Sequence, residues 1–186
     1  MRWMEQKIKV LAISGSLRQK SSNTALIKAT IGLASENISF IVYDGLGDLP
    51  HFNPDLDVEK GPASVRELRE QLKQADGVLI CTPEYGNGVP GTLKNALDWL
   101  VSSGEFVNKP TAVISASPSP MGGNLAHASL LLTLQMINAE IVENGKVIIP
   151  HITLKLNQEG IITNADTRQE LKALLQGLEQ ACRGQA

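Results

Sequence analysis

The chain has 186 residues and a formal net charge of −2, with a pI of about 5.9. This length suits one domain that buries roughly 70% of the surface its unfolded form exposes, so we expect a single domain over residues 1–186. The balanced charge argues against nucleic acid or an anionic membrane as the main partner. The apolar run within residues 1–14 is too short and mixed for a signal peptide or a membrane span, which predicts a cytoplasmic protein without membrane insertion.

Five apolar runs of strand length alternate with longer amphipathic stretches. The runs are rich in Val and Ile and apolar on both faces, as is typical of a parallel sheet covered on both sides. The predicted strands are 7–14, 38–44, 76–82, 110–117 and 145–150, and the predicted helices are 23–35, 63–74, 90–103, 124–138 and 166–182. The alternation predicts a doubly wound α/β domain with helices on both faces of its sheet, and the remaining stretch 44–62 is expected to be a surface excursion.

The two cysteines, Cys81 and Cys182, lie far apart in the sequence and show no CxxC or Cys/His spacing. Neither a zinc site nor an iron–sulfur cluster is therefore predicted. Cys81, within "GVLICT", is expected to be a small core residue, and Trp99 is expected to pack in the core as well.

In a doubly wound sheet a ligand lies beyond the carboxyl ends of the strands, where the winding reverses. The loop after the first strand, "SGSLRQKSSNT" (14–24), is crowded with hydroxyl groups, and Arg18 can form a forked contact with a phosphate. A helix beginning near Asn23 adds unpaired N–H groups and its positive dipole end. The loop is predicted to bind an anion. Its hydroxyl donors are Ser14, Ser16, Ser21, Ser22 and Thr24.

A second interpretation is an ordinary hydroxyl-rich loop in which Ser22 or Asn23 caps the helix. The loop matches neither GxxxxGK[ST] nor GxGxxG. A nucleoside triphosphate or a dinucleotide bound as in Rossmann domains is therefore a poor fit.

The loop after the third strand, "TPEYGNGVPG" (82–91), combines prolines, glycines and one aromatic residue. The prolines stiffen the loop, and Gly86 can approach a ligand closely or adopt a positive φ. Tyr85 offers an aromatic surface, so a flat ring with polar edges is expected to lie against it. The alternative is a tight turn that leads into the next helix.

The loop after the fourth strand, "SASPSPMGG" (115–123), is again small and hydroxylated. Ser115 and Ser117 could donate hydrogen bonds to the edge of a ring. Gly122 and Gly123 open the next helix without a Cβ that would crowd a ligand. As a third loop on the same rim, this stretch completes the predicted pocket.

These three loops, in this order and spacing, resemble those of the NAD(P)H-dependent FMN reductases, a group that includes quinone, azo-dye and chromate reductases. The resemblance covers roughly residues 7–150. It implies a flavodoxin-like five-stranded sheet in the order 2-1-3-4-5. In the family the first loop binds the FMN phosphate, which maps to Ser16, Arg18, Ser22, Asn23 and Thr24, with Ser14 at the start of the same loop. The isoalloxazine ring would be bordered by Pro83, Glu84, Tyr85, Gly86 and Asn87, and its other edge by Ser115, Ser117, Gly122 and Gly123.

Two positions depart from the pattern of that family. Many relatives have Asn directly after the tyrosine, whereas here Gly86 intervenes before Asn87. Relatives also often carry an arginine in the helix after the glycine pair, where this chain reads "NLAHASLLL". Either His127 takes over part of that role, or the position carries no charge.

The resemblance implies hydride transfer from NAD(P)H to bound FMN and then, by ping-pong turnover, to a quinone, free flavin, azo compound or metal oxyanion. No catalytic side chain and no metal are predicted, because the flavin performs the chemistry. Relatives pair through the helices after strands three and four, and both helices here are rich in large apolar residues, so a homodimer or homotetramer is expected.

Three other functions remain open at this point. A serine hydrolase could use Ser14 or Ser16 with one of the three histidines, although GxSxG is absent. An FMN electron carrier would not turn over NAD(P)H, but such carriers are usually strongly acidic. A flavin-sensing module is the third alternative.

Overall fold

The computed structural model describes residues 7–185 and contains one sheet of five parallel strands in the order β2-β1-β3-β4-β5. The strands are β1 Ile8–Ser14, β2 Ile38–Tyr43, β3 Gly77–Thr82, β4 Pro110–Ala116 and β5 Glu140–Ile149. This confirms the predicted architecture and strand order. Residues 1–6 and residue 186 lie outside the described residues. The predicted domain over 1–186 includes all of them, and the stretch 1–14 includes the first six.

Five α-helices cover the sheet on both faces. They are α1 Ser22–Ile31, α2 Ala63–Gln74, α3 Gly91–Asp98, α4 Asn124–Met136 and α5 Ala165–Gly184. The apolar sides of α1 and α5 form one core with the sheet, and those of α2, α3 and α4 form a second core on the opposite face. Every residue of β3 and β4 is buried, which explains why their sequences are apolar without alternation.

Several elements differ in length from the prediction, most of all β5, α3 and α1, which ends at Ile31 rather than at residue 35. β5 begins at Glu140 rather than at residue 145, and within its first five residues, on this edge strand, only Val142 is buried. A register shift between Thr111 and Val113 accommodates its extra residues as a bulge. α3 ends at Asp98 rather than at residue 103, and Leu100 donates to Leu97 O across a tightened last turn.

The excursion at residues 44–62 lies against α3 and contains two short 3₁₀ helices, Gly45–Asp48 and Pro54–Leu56. Trp99 is fully buried beneath it, and its Nε1 donates to Pro50 O at 2.9 Å. The ring of Phe52 meets the Trp99 ring edge-on, with 5.0 Å between centroids. The prediction that Trp99 is a core residue is confirmed.

Within residues 7–185, no helix combines the length and apolar character needed to cross a membrane. In the same part of the chain, His, Cys, Asp and Glu side chains do not gather into a group of three that could hold a metal ion.

Candidate functional site

The loops that follow β1, β3 and β4 meet at the carboxyl edge of the sheet. Because parallel strands all end at the same edge, their following loops share one rim. A cavity of about 90 Å³ lies among them, and we call it the loop cavity. It is lined by Ser16, Arg18, Ser21, Ser22, Asn23, Pro83, Glu84, Tyr85, Ala116, Ser117 and Pro118. The structure therefore brings together predicted site residues from all three loops.

The first loop leads directly into the N-terminus of α1. Ser21 caps the helix, since its hydroxyl accepts the N–H of Thr24 at 3.3 Å. The cap is therefore neither Ser22 nor Asn23, which the alternative interpretation had named. With the third N–H satisfied by Ser21, the N–H groups of Ser22 and Asn23 at the first two helical positions have no partner within the helix. Both residues line the loop cavity at the positive end of the helix dipole, which suits an anion.

The side chain of Asn23 connects α1 to two neighbouring strands beneath the carboxyl edge of the sheet. It is buried, its Nδ2 donates to Ala116 O at 3.3 Å, and its Oδ1 accepts the Cys81 thiol at 3.2 Å. These contacts tie the start of α1 to the ends of β4 and β3. Cys81 is fully buried, as predicted for a core residue. The side-chain amide of Asn23 is thus occupied by contacts within the protein, so any contribution of this residue to anion binding would come from its backbone N–H.

Two further hydroxyls, those of Ser14 and Thr24, hydrogen-bond to each other at 2.8 Å. Neither residue lines the loop cavity, so this pair lies outside the lining and links the end of β1 to α1. Ser16 and Arg18 do line the cavity, and the backbone N–H of Arg18 points to the Ser16 hydroxyl at 3.4 Å. The exposed guanidinium of Arg18 therefore adds a positive charge to the lining of the loop cavity, beside the N-terminus of α1.

A wider cleft of about 440 Å³ adjoins the loop cavity, and we call it the Tyr85 cleft. It is lined by Gly15, Leu17, Arg18, Tyr85, Pro90, Gly91 and Thr92. Arg18 and Tyr85 border both cavities. The cleft has a volume typical of small-molecule sites and is walled mainly by apolar and aromatic groups, which suits a flat ring.

A two-residue hairpin turn shapes the loop that carries Tyr85. Tyr85 and Gly88 exchange both backbone hydrogen bonds, at 3.1 and 3.2 Å. Between them, Gly86 and Asn87 have φ values of 57° and 61°, the pattern of a type I′ turn. The positive φ favours glycine at position 86, whereas steric space does not demand it, since a Cβ added there would meet no atom within 4 Å. Neither Gly86 nor Asn87 lines the two cavities; the turn supports Tyr85 from outside.

Glu84 links the same loop to α4. Its Oε2 accepts the backbone N–H groups of Leu125 and Ala126 at 2.9 and 3.0 Å. The helix is preceded by Gly123, which has no side chain to cap it, so a carboxylate from another loop supplies the cap. Glu84 also lines the loop cavity, so one carboxylate borders the hydrogen-bond donors there, and its Oε2 is held by the two N–H groups of α4.

We expect Glu84→Ala to lower the free energy of unfolding by about 1–2 kcal/mol, the usual cost of losing a helix cap. Because the Tyr85 loop loses its anchor to α4, FMN affinity should fall in the same variant. A matched control is Asn164→Ala, which removes the cap that Asn164 Oδ1 provides to Thr167 N at the start of α5. Urea unfolding should show similar losses in both variants, and flavin titration a loss in Glu84→Ala alone. An equal effect on flavin binding in both would contradict this anchoring role.

The loop after β4 contributes less than predicted. Ser117 lines the loop cavity, but Ser115 is fully buried and its hydroxyl has no hydrogen-bond partner in the described part of the chain. A side chain without exposed surface does not fit the predicted contact with a ring edge. Gly122 and Gly123 are also buried, and a Cβ on Gly122 would lie 2.7 Å from Ile148 Cγ2. The absence of a Cβ at Gly122 therefore serves packing against β5.

His127, the candidate for the missing positive charge, lies on the inner side of α4. It is buried, and its Nδ1 has no hydrogen-bond partner among the described residues. Burial lowers the pKa of His127, and the positive charge of Lys146 lowers it further. The imidazole is therefore neutral at neutral pH, and it does not replace an arginine.

Several lining residues escape the sequence prediction. Leu17 is a large apolar side chain that is exposed beside the Tyr85 cleft, and Pro90, Gly91 and Thr92 form the opposite border. An isolated leucine between serine and arginine is a signal that could have identified Leu17. At the start of α3, Pro90 and Gly91 carry a signal as a stiffening proline and a glycine that allows close approach of a ligand, whereas Thr92 carries none.

The donor set of the site fits FMN. The loop cavity is lined by serines, by Arg18 and by the first residues of α1, whose chemistry matches a phosphate, while the one carboxylate in its described lining, Glu84, accepts two N–H groups of α4. The Tyr85 cleft beside it has room for a flat, largely apolar ring. A parallel sheet of order β2-β1-β3-β4-β5 with such a site at its switch point defines the flavodoxin-like class of α/β proteins.

The chain belongs to the NADPH-dependent FMN reductase family, whose family model matches residues 8–153. It is 34% identical over 178 residues to an NAD(P)H-dependent FMN reductase of Pseudomonas aeruginosa, covering 95% of this chain and 96% of that one. It is 34% identical to a 2-hydroxy-1,4-benzoquinone reductase of a Burkholderia species, with 90% and 92% covered. The solved structure of the flavoenzyme NAD(P)H:(acceptor) oxidoreductase FerB from Paracoccus denitrificans aligns with a TM-score of 0.86 and 31% identity, covering 95% of this chain and 98% of FerB.

These comparisons confirm the resemblance found in the sequence. The chain is an oxidoreductase of the flavodoxin-like class that uses FMN and NAD(P)H. A serine hydrolase receives no support from the geometry, since no hydrogen bond joins a serine hydroxyl to a histidine ring within residues 7–185.

Proposed function

We propose that this protein is a quinone reductase that takes hydride from NAD(P)H onto bound FMN and passes the electrons to a small acceptor by ping-pong turnover. The observation that carries the proposal is the Tyr85 cleft, an apolar, open space beside a phosphate-type loop. Bound FMN supplies the redox chemistry, accepting hydride and donating electrons. Quinones are preferred here over azo compounds, free flavin and metal oxyanions because two relatives of more than 30% identity are named for quinones.

In this proposal the residues of the chain bind and orient, and they do not transfer protons. Arg18, Ser16, Ser22 and the first N–H groups of α1 hold the phosphate, and Tyr85 with Pro83 borders the ring. The described residues that line the Tyr85 cleft include no carboxylate, imidazole or thiol. The cleft is open to solvent on one side, so NAD(P)H and the acceptor would use the same space in turn. Because NAD(P)H and the acceptor could not occupy this space together, we expect ping-pong turnover.

The test is a steady-state measurement with the purified protein. Its absorption spectrum should show flavin bands that are released on denaturation as FMN, and NAD(P)H should be consumed when 1,4-benzoquinone is added. Plots of reciprocal rate against reciprocal NAD(P)H concentration at several quinone concentrations should be parallel. Bound FMN without NAD(P)H consumption would favour an electron carrier or a flavin-sensing module, and intersecting lines would exclude ping-pong turnover.

The proposed enzyme is cytoplasmic and acts as a homodimer. Both cysteines are free and buried, which suits a reducing compartment. The dimer proposal rests on α4, whose outer face carries Leu125, Leu132 and Met136, all exposed. α3 does not share this feature, contrary to the sequence prediction, because its large apolar residues are buried and Lys94 pairs with Asp98 on its outer side. An exposed apolar stripe on one helix can pair with its own copy around a two-fold axis.

We expect light scattering to give a dimer mass for the wild type and a monomer mass for Leu132→Glu. The Leu132 side chain is 68% exposed, so a glutamate there should not disturb the core of the subunit. In a dimer, the Leu132→Glu substitution would bury two negative charges, one from each subunit, against an apolar stripe. Val58→Glu is a matched control, because Val58 is 56% exposed in the 44–62 excursion and should leave the mass unchanged. A monomeric wild type, or a dimeric Leu132→Glu, would contradict the proposed interface.

A further inference from the structure

The largest described cavity adjoining the first loop is not part of the proposed ring site. It is a groove of about 880 Å³ between α1 and residues 153–160, and we call it the α1 groove. Ser21 and Ser22 line both this groove and the loop cavity. The groove therefore begins where the proposed phosphate site ends, so a ligand that continues beyond the flavin phosphate would enter it.

The wall formed by α1 alternates small and cationic side chains. Ala25 and Ala29 leave a floor without long side chains, while Lys28 is exposed at the far end. Lys28 lies six residues after Ser22, which places it about 9 Å along the helix from the phosphate end. Lys20 lines the groove near its start. Neither lysine forms an ion pair with any residue from 7 to 185.

The opposite wall is a closed turn. Gly160 N donates to Asn157 O at 3.0 Å, and Asn157 Oδ1 accepts the N–H of Ile161 at 2.8 Å. A β-bridge between Leu156 and Ile162 fixes the base of this turn, and Leu156 presents an apolar side chain to the groove. Glu159, at the exposed tip, is the one acidic lining residue. The groove thus has an apolar middle and a cation toward each end.

We infer that the α1 groove binds the adenylate half of FAD, so that the protein accepts FAD as well as FMN. The inference rests on the proposed function, because it requires the flavin phosphate at the first loop. The second phosphate of FAD would lie next to Lys20 at the start of the groove. The adenosine would lie over Ala25 and Ala29, with Lys28 donating to its ribose or base. The volume is within the range of sites that enclose nucleotide-sized ligands.

The alternative occupant is the adenylate half of NAD(P)H, which has the same chemistry. FAD is favoured because it is covalently continuous with the phosphate at Ser21 and Ser22. NAD(P)H would have to reach the groove past a flavin phosphate that already occupies the first loop.

The experiment compares Lys28→Glu with Lys73→Glu by calorimetric titration of the apoprotein with FMN and FAD. Both lysines are exposed in the last turn of a helix, α1 and α2 respectively, so the two variants change net charge and helix dipole equally. Lys73 lies on the opposite face of the sheet. We expect Lys28→Glu to weaken FAD binding about tenfold, as when one charge-assisted hydrogen bond is lost. FMN binding should be unchanged in both variants, and FAD binding unchanged in Lys73→Glu.

Three results would overturn the inference. One is FMN binding with no measurable FAD binding, and another is FAD binding that Lys28→Glu leaves unchanged. The third is a raised KM for NADPH in FMN-loaded Lys28→Glu with an unchanged ratio of FAD to FMN affinity, which would assign the groove to NADPH. If the wild type bound neither flavin, the proposed function itself would fail, which the FMN titration reports separately.

Discussion

Arg18→Ala is expected to weaken FMN binding by about 1.5–3 kcal/mol, the usual worth of a hydrogen bond to a charged group. Arg18 is the one cationic side chain that lines the loop cavity, and its guanidinium is exposed and able to reach an anion there. The N–H groups at the start of α1 remain in the variant, so binding should be weakened and not abolished. Flavin titration of the apoprotein measures the loss directly.

Riboflavin is the control ligand for this variant, because it has the ring of FMN but no phosphate. Its affinity should change little in Arg18→Ala. Lys20→Ala is the matched control variant, since Lys20 lines neither the loop cavity nor the Tyr85 cleft. Equal losses of affinity for FMN and riboflavin, or equal losses of FMN affinity in the two variants, would show that the phosphate does not bind at this loop.

Gly86→Val is expected to reduce turnover at saturating FMN on the order of 100-fold, because hydride transfer loses about that much when a reacting group moves by about 1 Å. Valine is strongly disfavoured at the φ of 57° that the hairpin turn requires. The resulting strain, about 1–3 kcal/mol, should shift Tyr85. The phosphate loop is separate from this turn, so FMN affinity should fall less than turnover. Steady-state kinetics and flavin titration of the same preparation compare the two losses.

Gly86→Asn separates backbone conformation from the loss of a glycine. Asparagine tolerates positive φ, and a side chain at this position meets open space, so this variant should keep most of its activity. Circular dichroism would show whether each variant is folded. A folded Gly86→Val protein with wild-type turnover would place the ring away from this turn.

Much of the fold could be predicted because its central strands are buried on both faces. β3 and β4 give continuous apolar runs, whose length marks them as strands and whose alternation with helices indicates a parallel sheet. β5 was predicted too short for the same physical reason. β5 is an edge strand, and within its first five residues only Val142 is buried, so a continuous apolar run is absent there.

The position of the site could also be predicted, since the loops after β1, β3 and β4 must share one edge. The roles of single side chains could not. Asn23 contacts Ala116, which is 93 residues away in the sequence, and Glu84 contacts α4 residues 41 and 42 positions away. No local pattern encodes such contacts. The Gly86-Asn87 pair is different, because two residues of this type between extended segments are typical of a hairpin turn and predict it directly.

The burial of Cys81 has a consequence for the lifetime of the enzyme. Cys81 is one residue before the carboxyl end of β3, so its thiol lies beneath the proposed flavin site. Burial raises the pKa of Cys81 far above neutrality, and the thiolate that oxidants and alkylating agents attack is therefore absent. We therefore expect the Cys81 thiol to resist oxidation and alkylation while the proposed enzyme turns over.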